Sequence, residues 1–327
     1  FNFNNCVISE KVLLHCMDTD EAEAIQLLHD PKPSRDWLLL LLSETRKRGL
    51  LAAQILGDNY ESPSNEYCSL GFLCGLLYKY ALTTGDLTLL DEDVGGMTVL
   101  QRLEGALRAQ LEYRDPETGL YLTDEEFTED GYSGGLVTSM EANTCFRGGA
   151  GTFYNDCNAA MWGTLLAMAD IEGIVGNIEK SKRYREQAED LYRAIQKYLW
   201  NEQLHFFCDL RSDGSLSDYL GIGGFLTGLF ANQVYRPGGV ATKEQAERLA
   251  EWCNHPDFAS EFGVTSLARS SPYFDPADFK GYNSALDYHF TTQVAAGLYA
   301  HGCYEEAHKQ LFKLFRRLGE NGGLGPR

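Results

Sequence analysis

Apolar residues recur along this chain at intervals of three and four, and they do so in ten blocks. The blocks cover residues 22–28, 37–56, 70–83, 99–113, 158–171, 179–199, 221–231, 243–253, 284–301 and 304–318. A repeat near 3.6 lays such positions along one stripe of a helix, whereas alternating runs that would signal strands are few. The pattern therefore predicts an all-α protein. The blocks fall in pairs, with longer glycine-rich connections at alternate joints. They are also of two kinds. Residues 179–199 (EKSKRYREQAEDLYRAIQKYL) carry a charged face, while residues 221–231 (GIGGFLTGLFA) are apolar nearly all round. The first kind suits an outer position and the second an enclosed one. Alternating outer and inner helices, with long loops gathered at one end, describe an (α/α)6 toroid whose inner helices surround a pocket. A generic helical bundle is the alternative, but it does not call for a connection as long as residues 115–152. No low-complexity linker interrupts the chain, so the expectation is one domain over residues 1–327, with truncation at either end left open.

Composition narrows the function. A hydrophobic content of 44% over 327 residues supplies a sizeable core. The longest apolar runs, such as residues 38–42, fall far short of the ~20 residues that span a bilayer, and nothing resembles a leader, so no membrane partner is expected. Asp and Glu number 47 against 28 Lys and Arg, and the net charge of −19 would repel a phosphate backbone. Nucleic acid is excluded as a partner on that ground. An acidic surface accommodates a neutral substrate and also keeps a protein soluble. The nine cysteines are scattered without CxxC or other metal-like spacing, and there is no Asn-x-Ser/Thr sequon. They read as reduced core residues of a cytoplasmic protein, with no metal site.

Three segments carry candidate chemistry. The first is Tyr154-Asn155-Asp156-Cys157-Asn158, followed by Trp162, directly before and within an apolar helix. A helix N-terminus offers unpaired N–H groups and a positive dipole, which suits a plain cap or a grip on a polyhydroxylated ligand. Capping accounts for one such residue; Tyr154, Asn155, Asp156 and Trp162 together suit substrate binding. The second is the loop at residues 121–135, where Asp124, Glu125, Glu126, Glu129 and Asp130 are interleaved with Tyr and Gly. Crowded carboxylates raise one another's pKa and can keep one protonated as a general acid, although an exposed acidic turn would have the same composition. The third, residues 271–283, sets Tyr273 and Asp275 among other aromatics before a further apolar helix; turn capping is the plain alternative for Asp275. His289 has no companions for a triad or a zinc site, and the glycines at 221–224 lack the preceding strand of a phosphate loop.

In order, these segments resemble the (α/α)6 glycoside hydrolases of the trehalase and processing α-glucosidase type. Residues 78–90 (YKYALTTGDLTLL) are similar to a helix end of that group reading Y-x-x-TGD-x-x-x-L. Residues 156–169 are similar to its DLNA segment, and residues 257–302 follow its order of F, yGlpS, dP.Y, YWRGpvW and GL..yG blocks. The resemblance covers roughly residues 60–320. One departure is residues 279–284 (FKGYNS), which stand where the group has WRGPVW, so substrate must be contacted differently there. The resemblance implies an inverting exo-glycosidase acting on an α-glucoside or related short, neutral saccharide, without cofactor. By position it assigns the general acid to Asp130, with Glu126 second. It assigns the base to Glu320, although the group's spacing would put its base just past Arg327. Tyr154, Asn155, Asp156, Trp162, Tyr273 and Asp275 are left to bind hydroxyls and ring faces. A disaccharide phosphorylase, drawing on Arg147 and Lys280 for phosphate, and a catalytically inactive carbohydrate-binding protein remain as alternatives; the GDWNDG of the phosphorylases is missing. Oligomeric state is not legible.

Overall fold

The computed structural model describes residues 13–15, 29–43, 54–56, 60–61, 67–123, 147, 151–231, 238–275 and 288–321. Its helices are α1 (Pro31–Ser43), α2 (Tyr67–Thr84), α3 (Val99–Leu111), α4 (Asn155–Ile174) and α5 (Ile178–Tyr198). They continue with α6 (Ile222–Phe225), which runs into a π-turn at Leu226–Phe230, and with α7 (Lys243–Trp252), α8 (Tyr288–Ala300) and α9 (Tyr304–Asn321). A small antiparallel sheet joins β1 (Leu13–His15), β2 (Gln54–Leu56) and β3 (Tyr60–Glu61), and a hairpin joins β4 (Trp200–Asn201) to β5 (Phe206–Phe207).

The expected block at 37–56 is thus two elements. The helix starts earlier, at Pro31, where proline's fixed φ suits a first turn. Gln54–Leu56 instead pairs with Leu13–His15, a long-range choice that local periodicity does not encode. The block at 22–28 lies outside the described residues.

Burial separates the helices into the two expected classes. Along α4 nearly every residue from Asn155 to Glu172 is buried, whereas α5 buries a single stripe of Ser181, Tyr184, Ala188, Leu191, Ala194 and Ile195. Helices α2, α4, the π-turn and α8 pack side by side in that order, and α5 and α9 return along the outside of α4 and α8. This is the arrangement of an (α/α)6 toroid. Outer helices α3 and α7 are started by capping boxes, Thr98 with Gln101 and Thr242 with Gln245. Inner elements approach closely because glycine allows it. A Cβ on Gly297 of α8 would meet the Leu229 carbonyl of the π-turn, and one on Gly239 would meet the backbone of Gly228. Between inner elements and hairpin sits an aromatic cluster. Phe206 packs edge-on against Phe225 with centroids 5.1 Å apart, and both rings meet Phe258. Burial of each such ring contributes on the order of 2–3 kcal/mol.

Cys74, Cys157, Cys208 and Cys253 are buried and Cys303 partly so, all unbridged. Burial pushes the Cys208 thiol up to about 12 and raises those of Cys74 and Cys253 as well, so all three stay protonated. Among the described residues no helix is long and apolar enough to cross a membrane.

Candidate active site

Among the described residues, the N-terminal end of α4 gathers a cluster of buried polar and charged side chains. Tyr154 is wholly buried, Asn155 is 4% exposed and Asp156 is 5% exposed. Arg147 lies across them as a clamp. Its Nη1 and Nη2 donate to Asp156 at 3.1 and 2.8 Å, and its Nε and Nη2 donate to Asp209 at 2.8 and 2.6 Å. The guanidinium also lies 4.3 Å from the centroid of the Tyr154 ring. Burial alone would favour the neutral guanidine, but the two carboxylates outweigh it and raise the Arg147 pKa well above its ordinary value, so the cation is permanent.

Asp209 enters from the strand exit after β5 and does a second job. Its Oδ1 accepts the Asn155 N–H at 2.9 Å, so a carboxylate from another segment caps α4, which has no side-chain cap of its own. Asn155 turns inward: its Oδ1 accepts from the Thr227 hydroxyl at 2.9 Å, and its Nδ2 donates to the Phe207 carbonyl at 3.2 Å. Asn158 links the same turn to Tyr121, accepting its N–H at 2.7 Å and donating to its carbonyl at 3.1 Å. The polar atoms of Asn155, Asp156 and Asn158 are therefore engaged by the protein itself. They build a rigid floor.

This floor anchors the acidic loop at both of its described ends. Thr123 N–H donates to the Thr152 carbonyl at 3.3 Å, and Gly151 N–H donates to the Thr123 carbonyl at 3.2 Å, so the chain leaves and returns at one point beside α4. Asp130 and Glu126 belong to the intervening stretch and lie outside the described residues, as does Lys280. Glu320 is in the last turn of α9.

Beyond Asp209 the chain opens into a recess of about 380 Å³, lined by Arg211, Asp218, Tyr219, Ser270, Ser271 and Tyr273 among others. An isolated bridge between Gly221 and Leu267 brings its two walls together, and another between Phe153 and Leu210 ties the first wall to the start of α4. Arg211 donates to Asp218 at 2.5 Å. That bond, foremost, holds the Asp218 carboxyl below the usual carboxylate range, so it is not a proton donor near neutrality. Tyr273 presents an exposed ring to the recess, and Asp275 is exposed two residues further on.

The expected site residues are thus sorted by position. Tyr154, Asn155 and Asp156 come together in the floor, and Tyr273 lines the recess. Trp162 is not brought to either. It lies farther along α4, its ring 6.3 Å from that of Tyr192 on outer helix α5, within the packing between those helices. Arg147, weighed above as a phosphate ligand, has its charge spent on two carboxylates. Asp209 was missed altogether, and its one sequence signal is a lone carboxylate inside the apolar run Phe206-Phe207-Cys208-Asp209-Leu210.

Paired inner and outer helices, with a polar floor at the start of inner helix α4, make this an (α/α)6 toroid. Comparison with known proteins gives the family. The chain belongs to the mannosylglycerate hydrolase MGH1-like glycoside hydrolase domain family, whose model matches residues 97–325, and it is a glycoside hydrolase. No curated protein matches it in sequence. Among solved structures it is similar to the GH63 mannosylglycerate hydrolase from Thermus thermophilus in complex with glucose. The TM-score is 0.73 at 13% identity, over 97% of this chain and 87% of that one. It is also similar to neutral trehalase Nth1 from Saccharomyces cerevisiae, with TM-score 0.62, 16% identity and 95% and 67% coverage. A rhamnosidase from Klebsiella oxytoca with rhamnose bound matches with TM-score 0.63, 13% identity and 98% and 52% coverage. At these identities the likenesses describe the fold.

Proposed function

We propose that the protein is an inverting exo-glycosidase acting on an α-glucoside or related short, neutral saccharide, with the whole chain serving as one catalytic unit. The observation that carries this reading is the clamped floor. Arg147, Asp156 and Asp209 tie the return of the acidic loop to the start of α4, beside a recess with room for a sugar ring. Asp130, or Glu126 if the loop is differently disposed, protonates the leaving oxygen. Glu320 activates water on the opposite face; α9 runs back from the end of α8, so its last turn lies at the end where α8 begins. Inversion requires the two carboxyl groups ~6.5–9.5 Å apart with water between. Paired carboxylates need no cofactor.

Binding is divided between the two regions. Tyr273 offers a ring face and Asp275 a hydroxyl partner, while Tyr154, Asn155 and Asp156 hold the floor that positions them. Arg211 is already matched by Asp218, which supports a neutral rather than an anionic substrate in the recess. The Thermus hydrolase captured with Tris and D-glycerate makes mannosylglycerate the first charged saccharide to set against that. The unbridged, protonated thiols support a reducing compartment such as the cytoplasm.

The test is hydrolysis of α- and β-linked glucosides, mannosides and mannosylglycerate, with the released anomer followed by NMR. Release of the inverted anomer, reduced at least ~10²-fold by Asp130→Asn and by Glu320→Gln, is the expected result. Undiminished turnover in either variant removes that residue from its role. Turnover that depends on added inorganic phosphate would make the enzyme a phosphorylase, and sugar binding without turnover would make it a binding protein.

A further inference from the structure

A second recess, of about 330 Å³, lies on the outside of the barrel between α3 and α5 and is independent of the proposed hydrolase site. Glu104, Arg108 and Leu111 line it from α3, and Lys180, Arg183, Tyr184 and Gln187 line it from α5. Three cations face one carboxylate. Lys180 is ion-paired to Glu104, and its Nζ lies 3.8 Å from Oε1 of the wholly buried Glu172. Glu172 accepts from Asn177 at 2.7 Å. Burial and its hydrogen bond with Glu104 raise the Glu172 pKa, while the bonds from Glu172 and Lys180 hold Glu104 ionised, so Lys180 is committed to this carboxylate pair.

Arg108 and Arg183 are left over. Among the described residues neither is within ion-pair distance of a carboxylate: Arg108 acts on Glu104 only at longer range, and Arg183 lies over the Tyr184 ring, 5.3 Å from its centroid, and hydrogen-bonds with that tyrosine. Their neighbours on α5 behave otherwise: Lys182 pairs with Glu186, Arg185 with Asp170, and Arg193 with Glu189 and Asp190. In a chain of net charge −19, carboxylates are plentiful, yet neither guanidinium of this recess has one within ion-pair distance among the described residues. The same recess holds an unmet acceptor. Gln187 Oε1 is buried and has no hydrogen-bond donor. An anion for the guanidiniums is what the recess lacks, and rotation of the Gln187 amide would bring its unmet oxygen to a ligand hydroxyl.

We propose that the recess between α3 and α5 binds the phosphate monoester of a small polyol, such as a sugar phosphate, with the phosphate on Arg108 and Arg183 and a hydroxyl on Gln187. Two guanidiniums present forked donors that match phosphate oxygens, and the volume is at the size of a small-molecule site. Attraction between charges this exposed is screened by salt.

The experiment is calorimetric titration of the full chain with mannose 6-phosphate, inorganic phosphate and mannose. The expected order is mannose 6-phosphate tightest, phosphate weaker, and mannose without effect at this recess. Arg108→Ala and Arg183→Ala should each weaken mannose 6-phosphate about ten-fold or more, and raising NaCl should weaken it further. Gln187→Ala should weaken mannose 6-phosphate and leave phosphate unchanged. Arg193→Ala, outside the recess, serves as control. All variants are checked by circular dichroism, with Arg108→Lys and Arg183→Lys as milder replacements that keep charge and lose the fork. Absence of binding at millimolar ligand, or binding indifferent to both arginines, overturns the proposal. These readouts need no turnover, so they stand apart from the hydrolase test.

Discussion

Removing Arg147 tests the central claim about the floor. The side chain is 2% exposed and stands between Asp156 at 5% and Asp209 at 1%, with four hydrogen bonds between the three. Arg147→Met keeps much of the volume but leaves two buried carboxylates facing each other without a cation. Breaking such a network by deleting one partner costs about 3–5 kcal/mol, because the charges left behind stay desolvated. Unfolding entropy of about 2.1 cal/mol/K per residue, over 327 residues, sums to about 0.7 kcal/mol/K. The melting temperature should therefore fall by about 4–7 °C, measured by calorimetry at pH 7. The charge argument makes a sharper demand of the triple variant Arg147→Met, Asp156→Asn, Asp209→Asn. With neutral amides in place of carboxylates, it should recover a substantial part of the loss despite carrying more substitutions. A single variant within ~1 °C of the parent, or a triple variant worse than the single, would refute the account of the clamp as charge compensation.

Three further outcomes follow from the packing and the titrations. Gly297→Ala drives a methyl group into the Leu229 carbonyl of the π-turn and should destabilise by about 1–3 kcal/mol, read from urea denaturation; a neutral effect would mean that α8 and the π-turn are not in backbone contact. Glu172 has a raised pKa, so its stabilising share is complete below its ordinary unfolded pKa and is lost as pH rises through the raised value; Glu104, held low by Glu172 and Lys180 against its own burial, loses its share as pH falls. Glu172→Gln should accordingly flatten the decline of the melting temperature as pH rises above the ordinary glutamate range and leave the fall at lower pH in place, and an unchanged decline would count against a raised Glu172. Thr242→Ala removes the capping box of α7 and should cost about 1 kcal/mol by urea denaturation, whereas a loss below ~0.3 kcal/mol would show that the cap is unimportant.

The local sequence determined the helices and their two classes. Charged stripes such as 179–199 and all-round apolar runs such as 158–171 follow from a 3.6-residue period, which is a property of neighbours in the chain. The start of α4 was equally legible, because Tyr154 to Asn158 is a polar cluster immediately before an apolar run. Its use was not. Whether Asp156 meets a ligand or a guanidinium depends on Arg147, nine residues away, and on Asp209, fifty-three residues away, which converge only when the hairpin after α5 folds onto α4. Trp162 shows the same limit: its helix was foreseen, but the face it occupies, against Tyr192, is fixed by how α5 lies on α4. Gln54–Leu56 went to a strand because its partner is at Leu13–His15, and no local pattern announces a pairing across some forty residues. Secondary structure is written largely in short-range order. Charge compensation, close backbone approach and the shape of a recess are three-dimensional coincidences, and only the tertiary structure decides them.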